Sequence, residues 1–197
     1  MFDSRFDELA ACVHSCKYTS PKDSLIATEA LKRAHEFIRK TKEHGGIVYV
    51  IGNGGSAGLA SHFSNDLMKT LQVPSQTFYD SNLLTCLAND IGYQNVFSYP
   101  LKQLLKPQDL LVAISSSGQS PNILNAAEAA RSREAVLMTL SGFDGLNPLR
   151  ALGDLNFWID QKDYGLVEAA HFFLLHTIID CWNKKGSDEY EVFKKPA

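Results

Sequence analysis

The chain has 197 residues, a length that fits one domain and leaves little room for two. Apolar residues make up 45% of it and charged residues 21%, which excludes a disordered or collagen-like chain. Its 19 Lys and Arg against 22 Asp and Glu give a formal net charge of −3, so no global basic field attracts nucleic acid or an anionic membrane. We therefore expect any anion to be bound locally.

The cysteines and the N-terminal residues indicate where the protein acts. The four cysteines form no Cys-x-x-Cys pair, which is typical of a reducing compartment. The first seven residues include acids and are not followed by an apolar stretch, so we expect no signal peptide. No run approaches the roughly 18 apolar residues of a membrane span. These features predict a soluble, cytoplasmic protein that contacts neither membrane nor nucleic acid.

Two helical patterns open the chain, at about residues 3–16 and 23–43, and a continuous apolar run from Ile47 to Ile51 follows them. Such a run is typical of a strand buried on both faces. Further strands are predicted at residues 76–79, 110–114, 135–140 and 157–159, and further helices at residues 58–70, 82–89, 95–105, 122–131 and 165–182. Pro100 should kink or split the segment 95–105. Strands that alternate with helices predict a doubly wound α/β sheet, and the residues after Lys184 are predicted to form a mobile tail.

A glycine-rich loop follows the first of these strands: Gly52, Asn53, Gly54, Gly55 and Ser56. Small residues let a ligand approach the backbone closely, and the amides at the start of the next helix favour an anion. The loop lacks the Gly-Lys-Ser/Thr ending of a Walker loop and the glycine spacing of a dinucleotide-binding loop. Taken alone, it is about equally well interpreted as an anion site and as a tight turn that binds nothing.

A serine-rich loop follows the third predicted strand. Ser115, Ser116, Ser117 and Ser120 surround a helix start that has Pro121 at its first position. Hydroxyls and free backbone amides can together coordinate a phosphomonoester without a lysine, and sites in open α/β sheets lie at the carboxyl ends of strands. Ser120 alone could cap the helix, but one cap needs only one hydroxyl. The pattern therefore favours a phosphate site.

Titratable side chains recur at helical spacing in two predicted helices. His62 and Asp66 are four residues apart and share one face, and Glu168 and His176 are eight apart, close to one stripe. If the two stripes face one another, they could form a base site or bind a divalent metal, for which imidazole and carboxylate are suitable ligands. His176 lies in an apolar stretch where an unpaired imidazole is costly, which favours a site role, whereas His171 is ambiguous.

The glycine and serine loops together resemble the sugar isomerase (SIS) domain, most closely its phosphoheptose isomerase branch. The likeness extends over about residues 25–182, and also includes His62-Phe63, the segments 88–93 and 140–145, and the closing helix. It implies a single SIS domain over residues 1–197 with an N-terminal helical extension to about residue 44. It also implies a three-layer αβα sandwich with a five-stranded parallel sheet, assembled into a homotetramer with sites at subunit interfaces.

The resemblance also implies an activity, the isomerisation of sedoheptulose 7-phosphate or a related ketose phosphate to the aldose, which supplies heptose to a surface polysaccharide. In the family, the positions that match His62, Asp66, Glu168 and His176 carry His, Glu, Gln and His. The Glu and the last His act as acid and base there, and the four can hold zinc. By likeness, Asp66 and His176 would exchange protons with the sugar, and all four side chains would form the metal site.

The resemblance further implies the substrate contacts. Those for the sugar are Asn53, Gly54, Gly55, Ser56, Asp90 and Glu168, and those for the phosphate are Ser115, Ser116, Ser117 and Ser120. Asp90 by its position alone is equally a cap or turn residue.

This chain departs from the family pattern at four positions. Asp66 is one methylene shorter than Glu, which withdraws the carboxylate, and Glu168 replaces a neutral amide by a charge that strengthens metal binding but repels phosphate. Ala57 stands where His is frequent and Gly165 where Asp is usual. Two alternatives therefore remain: a non-catalytic SIS tetramer that binds a replication initiator or another protein, and a phosphosugar-sensing module.

Overall fold

The computed structural model describes residues 2–182, and the predicted tail after Lys184 lies outside them. Along this part of the chain the elements are α1 (Phe2–His14), β1 (Lys17–Thr19), β2 (Ser24–Leu25), α2 (Ala27–Glu43), β3 (Val48–Ile51), α3 (Gly55–Leu71), β4 (Ser75–Gln76), α4 (Ser81–Ile91), a 3₁₀ turn (Tyr93–Asn95), α5 (Ser98–Leu104), β5 (Leu110–Ser115), α6 (Pro121–Ser132), β6 (Val136–Ser141), α7 (Pro148–Leu152), β7 (Leu155–Trp158) and α8 (Tyr164–Asp180). The alternation of strands and helices confirms the predicted α/β class.

One sheet crosses the molecule in the strand order β2-β1-β7-β6-β5-β3-β4. The pairs β7–β6, β6–β5, β5–β3 and β3–β4 are parallel, so five strands form a parallel sheet. The strand predicted at residues 76–79 is only Ser75–Gln76. Strands β1 and β2 extend the β7 edge in the antiparallel direction. The sheet is therefore mixed and has two strands more than predicted.

The two additional strands correct the prediction for the N-terminal region. The sequence predicts helices over residues 3–16 and 23–43. In the structure, α1 ends at His14 and α2 begins at Ala27. Between them, Tyr18 pairs with Phe157 of β7, a residue far along the chain, and the two rings pack edge to face at 5.4 Å. A three-residue strand that depends on a distant partner leaves no periodic signal of its own.

Apolar side chains fill both faces of the parallel sheet. Along β3, Val48 and Val50 belong to the core beneath α2, α3 and α8, while Tyr49 and Ile51 belong to the core beneath α4, α5 and α6. Because successive side chains of a strand point to opposite faces, a strand covered on both sides is apolar at every position. The result is the predicted three-layer αβα arrangement.

Pro100 does not split the predicted helix 95–105; the helix begins later instead, at Ser98, and runs without a break to Leu104. The 3₁₀ turn at residues 93–95 precedes α5, and Pro100 lies in the first turn of that helix, where its missing N–H has no intrahelical partner to lose. The five-residue helix α7 was not predicted. None of the helices among residues 2–182 is long and apolar enough to cross a membrane.

Candidate active site

The glycine loop connects β3 to α3 at the carboxyl edge of the sheet. Gly54 is the N-cap of α3 and has a φ of +53°, a conformation that favours glycine. The hydroxyl of Tyr79 accepts a hydrogen bond from the N–H of Gly52 over 2.7 Å and donates one to the carbonyl oxygen of Gly52 over 3.0 Å. Burial raises the pKa of Tyr79, so the hydroxyl stays protonated and holds the end of β3 in place.

Asn53 joins this loop to the serine loop. Its side-chain amide makes two hydrogen bonds with the amide of Asn122, in the first turn of α6, at 2.9 and 2.8 Å. The hydroxyl of Tyr93 also donates to Oδ1 of Asn53 over 3.3 Å. The ends of β3 and β5 and the turn after α4 therefore meet at one side chain.

The serine loop turns tightly around Gly118, whose φ is +65°. Oγ of Ser115 donates to Oγ of Ser120 over 3.2 Å and accepts from the N–H of Gly118 over 3.2 Å, and the N–H of Gln119 donates to Oγ of Ser117 over 3.2 Å. Although Ser120 is the N-cap residue of α6, its side chain makes no capping hydrogen bond. The interpretation of this loop as a serine cap is therefore wrong, and the amides at the start of α6 are left without a side-chain acceptor from Ser120.

Ser116 is the distinctive member of the loop. It is 5% exposed, and its Oγ has no hydrogen-bond partner among the described residues. An unpaired buried hydroxyl costs about 1–3 kcal/mol, so native proteins retain such groups mainly where a ligand or water completes them. This hydroxyl lies where the sequence predicts a phosphate.

Three of the four predicted catalytic and metal-binding side chains meet where α3 packs on α8. Oδ2 of Asp66 lies 3.1 Å from Nε2 of His62 and 3.8 Å from Nδ1 of His176. The two imidazole rings are 4.9 Å apart, and the ring of Phe172 packs edge-on against both. Between a third and a half of each imidazole side chain is exposed, so the cluster is open to solvent.

The fourth side chain, Glu168, lies elsewhere. Its carboxylate sits against Gly55, the first residue of α3, so closely that a Cβ at position 55 would overlap it. The group of metal-ligating side chains found in the described residues consists of His62, Asp66 and His176 without Glu168. The structure thus places Glu168 between the glycine loop and the cluster, one helical turn before Phe172.

The ambiguous histidine of α8 is a buried structural residue. His171 is fully buried, and its Nε2 lies 3.1 Å from the carbonyl oxygen of Ser141 at the end of β6. Burial lowers the pKa of His171 to about 4, so the ring is neutral at neutral pH. It ties α8 to the sheet directly below the site.

Asp90 lies in the last turn of α4 and is exposed, so it is not an N-cap. Its carboxylate accepts hydrogen bonds from Nδ2 of Asn89 over 2.9 Å and from Sγ of Cys86 over 3.4 Å. The bond from Asn89 is the main reason that the pKa of Asp90 is held below its ordinary value. The carboxylate therefore stays charged and able to accept further hydrogen bonds.

The cluster fits a divalent metal by donor type and by distance. One nitrogen from each of His62 and His176 and one oxygen of Asp66 lie within 4.8 Å of one another. Two imidazoles and a carboxylate are a ligand set that zinc accepts while leaving a position open for a further group. These three side chains could hold such an ion.

Three residues of the site were not identified from the sequence. Tyr79 clamps Gly52, Asn122 pairs with Asn53, and Asn147 donates through Nδ2 to the carbonyl oxygens of residues 142 and 144 beside the serine loop. Tyr79 and Asn122 bond to residues far away in the sequence, and Asn147 bonds to a nearby loop. Of the three, only Asn122 could have been identified from the sequence, because it directly follows the serine loop and Pro121 at the start of α6.

Comparisons with known proteins agree with this geometry. The SIS domain family model matches residues 23–142. The phosphoheptose isomerase of Helicobacter pylori is 33% identical over 159 residues, which cover 78% of this chain and 82% of that protein. The structure of phosphoheptose isomerase from Neisseria gonorrhoeae superimposes with a TM-score of 0.80 at 28% identity, covering 92% of this chain and 97% of the other. The phosphoheptose isomerase from Francisella tularensis does so with a TM-score of 0.80 at 25% identity, covering 93% and 97%.

The match to the family model covers more than half of the chain, and the similarity to the curated relative extends over most of both proteins. The chain belongs to the SIS domain family and, within it, to the phosphoheptose isomerases.

Proposed function

We propose that this protein is a sugar-phosphate isomerase that converts sedoheptulose 7-phosphate, or a related ketose phosphate, to the corresponding aldose. The observation that carries the proposal is the meeting of Asp66, His62 and His176 across the contact between α3 and α8. A carboxylate beside two imidazoles supplies groups that can accept and donate protons. The membership of the chain in the phosphoheptose isomerases supports the choice of substrate.

The serine loop supports binding of the phosphate. Ser116 offers a buried hydroxyl that has no partner among the described residues, and the start of α6 adds the N–H group of Asn122 and the positive end of the helix dipole. Ser115, Ser117 and Ser120 would add further hydroxyls. No lysine or arginine is needed, because these neutral donors can surround a phosphate on several sides.

The sugar would extend from the phosphate toward the glycine loop. Asn53 and Ser56, with the backbone of Gly54 and Gly55, would contact its hydroxyls, and the charged carboxylate of Asp90 would accept hydrogen bonds from them. Glu168 lies beside Gly55 and thus borders the same space. These assignments follow the family likeness, and the meeting of the two loops at Asn53 supports them.

The reaction moves one proton between neighbouring carbons. A base removes a proton from C1 of the ketose while the oxygen on C2 gains one, which gives an enediol. Return of a proton to C2 and loss of the proton from the oxygen on C1 then yield the aldehyde, with no net gain or loss of atoms. Asp66 and His176 are the groups we assign to these transfers.

We further propose that His62, Asp66 and His176 can hold zinc. Bound there, zinc would supply Lewis-acid polarisation of the sugar oxygens. Glu168 is not part of this group, and its carboxylate lies against Gly55, so we assign it to the sugar side of the site. The proton transfers assigned above belong to the protein side chains.

We also place the enzyme in the cytoplasm as a homotetramer. The cysteine pattern supports a reducing compartment, and all four cysteines are free thiols. Exposed apolar side chains such as Phe173 on α8 and Met68 on α3, 53% and 45% exposed, support burial against another subunit.

The test is to incubate the purified protein with sedoheptulose 7-phosphate and to follow new anomeric proton signals by NMR, with zinc added or with a chelator. We expect the aldose to appear, and to be lost in His176→Ala. His14→Ala, a change at an exposed histidine of α1, serves as the matched control and should retain activity. Binding of the sugar phosphate without turnover in any condition would contradict the isomerase and favour a sensing or scaffold protein.

A further inference from the structure

Asn53 and Asn122 form a reciprocal pair of hydrogen bonds between the glycine loop and the first turn of α6. Nδ2 of Asn53 donates to Oδ1 of Asn122 over 2.9 Å, and Nδ2 of Asn122 donates to Oδ1 of Asn53 over 2.8 Å. The two residues are 69 positions apart in the chain. Because each amide acts as donor and acceptor at once, the pair fixes both the distance and the relative orientation of the two side chains.

Asn122 is the anchored member of this pair. It is 2% exposed, and its Oδ1 also accepts a hydrogen bond from the N–H of Ile123 over 3.1 Å. Only an oxygen can accept that bond, so the backbone determines which end of the Asn122 amide carries the oxygen. The orientation of Asn122 then determines that of Asn53, which is half-buried.

Tyr93 completes the connection from a third element. It lies in the 3₁₀ turn after α4, and its hydroxyl donates to Oδ1 of Asn53 over 3.3 Å. Oδ1 of Asn53 therefore receives two hydrogen bonds, from Asn122 and from Tyr93. The Asn53 side chain is thus held on two sides, and one N–H of its amide remains to face a ligand.

We propose that Asn122 is a positioning residue that orients the Asn53 amide toward the sugar and sets the distance between the glycine loop and the serine loop. The inference rests on the proposed function, because it takes Asn53 as a sugar contact and the serine loop as the phosphate site. Asn122 itself does not touch the sugar. By orienting Asn53, it increases the affinity for a sugar phosphate relative to that for inorganic phosphate.

The experiment compares Asn53→Ala, Asn122→Ala and the double variant. Calorimetric titration measures the affinities for sedoheptulose 7-phosphate and for inorganic phosphate, and NMR measures turnover. We expect Asn122→Ala to lower kcat/KM about 10-fold to 100-fold, as a small misplacement of a substrate contact does, and to weaken sugar-phosphate binding. The affinity for inorganic phosphate should fall less than that for the sugar phosphate, because the four serine hydroxyls are unchanged and only the sugar contact of Asn53 is lost.

The double variant separates positioning from a general structural effect. If Asn122 acts through Asn53, its removal should change binding and turnover less than about twofold once Asn53 is alanine. A full effect on binding in the Asn53→Ala background, or equal loss of affinity for both ligands, would overturn the inference.

Asn125→Ala is the matched control. Because Nδ2 of Asn125 donates to the carbonyl oxygen of Gln94 in the turn that carries Tyr93, the control is made in a Tyr93→Phe background, where that turn no longer donates to Asn53. It should keep the sugar-phosphate affinity within about twofold. If the unmodified protein binds sedoheptulose 7-phosphate without turnover, the proposed function fails and the inference is decided by the binding measurements alone. If it binds the sugar phosphate no better than inorganic phosphate, the inference fails as well.

Discussion

The carboxylate of Glu168 in α8 lies directly against Gly55, the first residue of α3. The first turn of α3 contains no acidic residue, and its N-cap, Gly54, has no side chain to offer. Glu168 therefore brings a negative charge from another helix to the positive end of the α3 dipole. Because the Glu168 carboxylate already lies at the glycine loop and would repel a phosphate there, the serine loop is the more favourable place for the phosphate.

This contact predicts that alanine substitutions at two glycines of α3 will change the free energy of unfolding by different amounts. Nothing lies within 4 Å of a Cβ at Gly58, so Gly58→Ala should raise the free energy of unfolding by about 0.5–1 kcal/mol. Gly55→Ala should raise it less, because the new methyl group must displace Glu168. Urea unfolding measures both, and the difference should disappear in a Glu168→Ala background. If the difference persisted there, Glu168 would not be its cause.

Asp66→Asn should lower activity and zinc affinity without changing the stability of the fold. The change keeps the size of the side chain but removes the carboxylate that lies between His62 and His176. We expect kcat to fall by a factor of about 100 or more and zinc affinity, measured by calorimetry, to fall with it. The Tm should change little, since the cluster is partly exposed. Unchanged turnover would remove Asp66 from the proton transfers.

Ser116→Ala should affect stability and ligand binding in opposite directions. Removal of a buried hydroxyl that has no protein partner should raise the free energy of unfolding by about 1 kcal/mol, while inorganic phosphate should bind more weakly. Ser132→Ala is the control, because Oγ of Ser132 donates to the carbonyl oxygen of Ala129 at the end of α6. A Ser116→Ala variant that is less stable and binds phosphate normally would show that Ser116 is a structural residue.

His171 predicts a pH dependence of stability. Burial lowers its pKa to about 4 in the folded protein, whereas an unfolded chain has the ordinary value of 6.5. Between these values the unfolded chain binds more protons, so the contribution of His171 is fully present above pH 6.5 and is lost as the pH falls toward 4. The full difference corresponds to about 3 kcal/mol.

Urea unfolding at pH 7.5 and pH 4.5 measures this dependence. His171→Gln keeps a donor for the carbonyl oxygen of Ser141 but cannot titrate, so its stability should fall less between the two pH values. The difference between the two proteins isolates His171 from other groups, including His35, whose pKa burial also lowers. Equal loss of stability in both proteins would contradict the assignment.

Much of the fold could be predicted from local patterns. The strands β3, β5 and β6 are mostly apolar because helices cover both faces of the sheet, and the loops after β3 and β5 carry their glycines and serines within short segments. The pairing of His62 with Asp66 was predictable as well, since helix geometry alone places residues four apart on one face.

The remaining features depend on contacts between distant residues. Strand β1 exists because it pairs with β7, and neither its length nor its composition predicts it. Helical spacing placed Glu168 and His176 on one stripe, but the packing of α8 on α3 decides that His176 reaches Asp66 while Glu168 reaches Gly55.

The sequence by itself determined the α/β class, the apolar runs that become the parallel strands, and the positions of the two loops and of the titratable side chains. These follow from hydrophobic periodicity and from residue types at fixed local spacing. Only the tertiary structure decided which of those side chains meet, and that Asn122 and Tyr93 hold Asn53. Hydrogen bonds between side chains on different loops depend on how the helices pack on the sheet, and no local pattern encodes that packing.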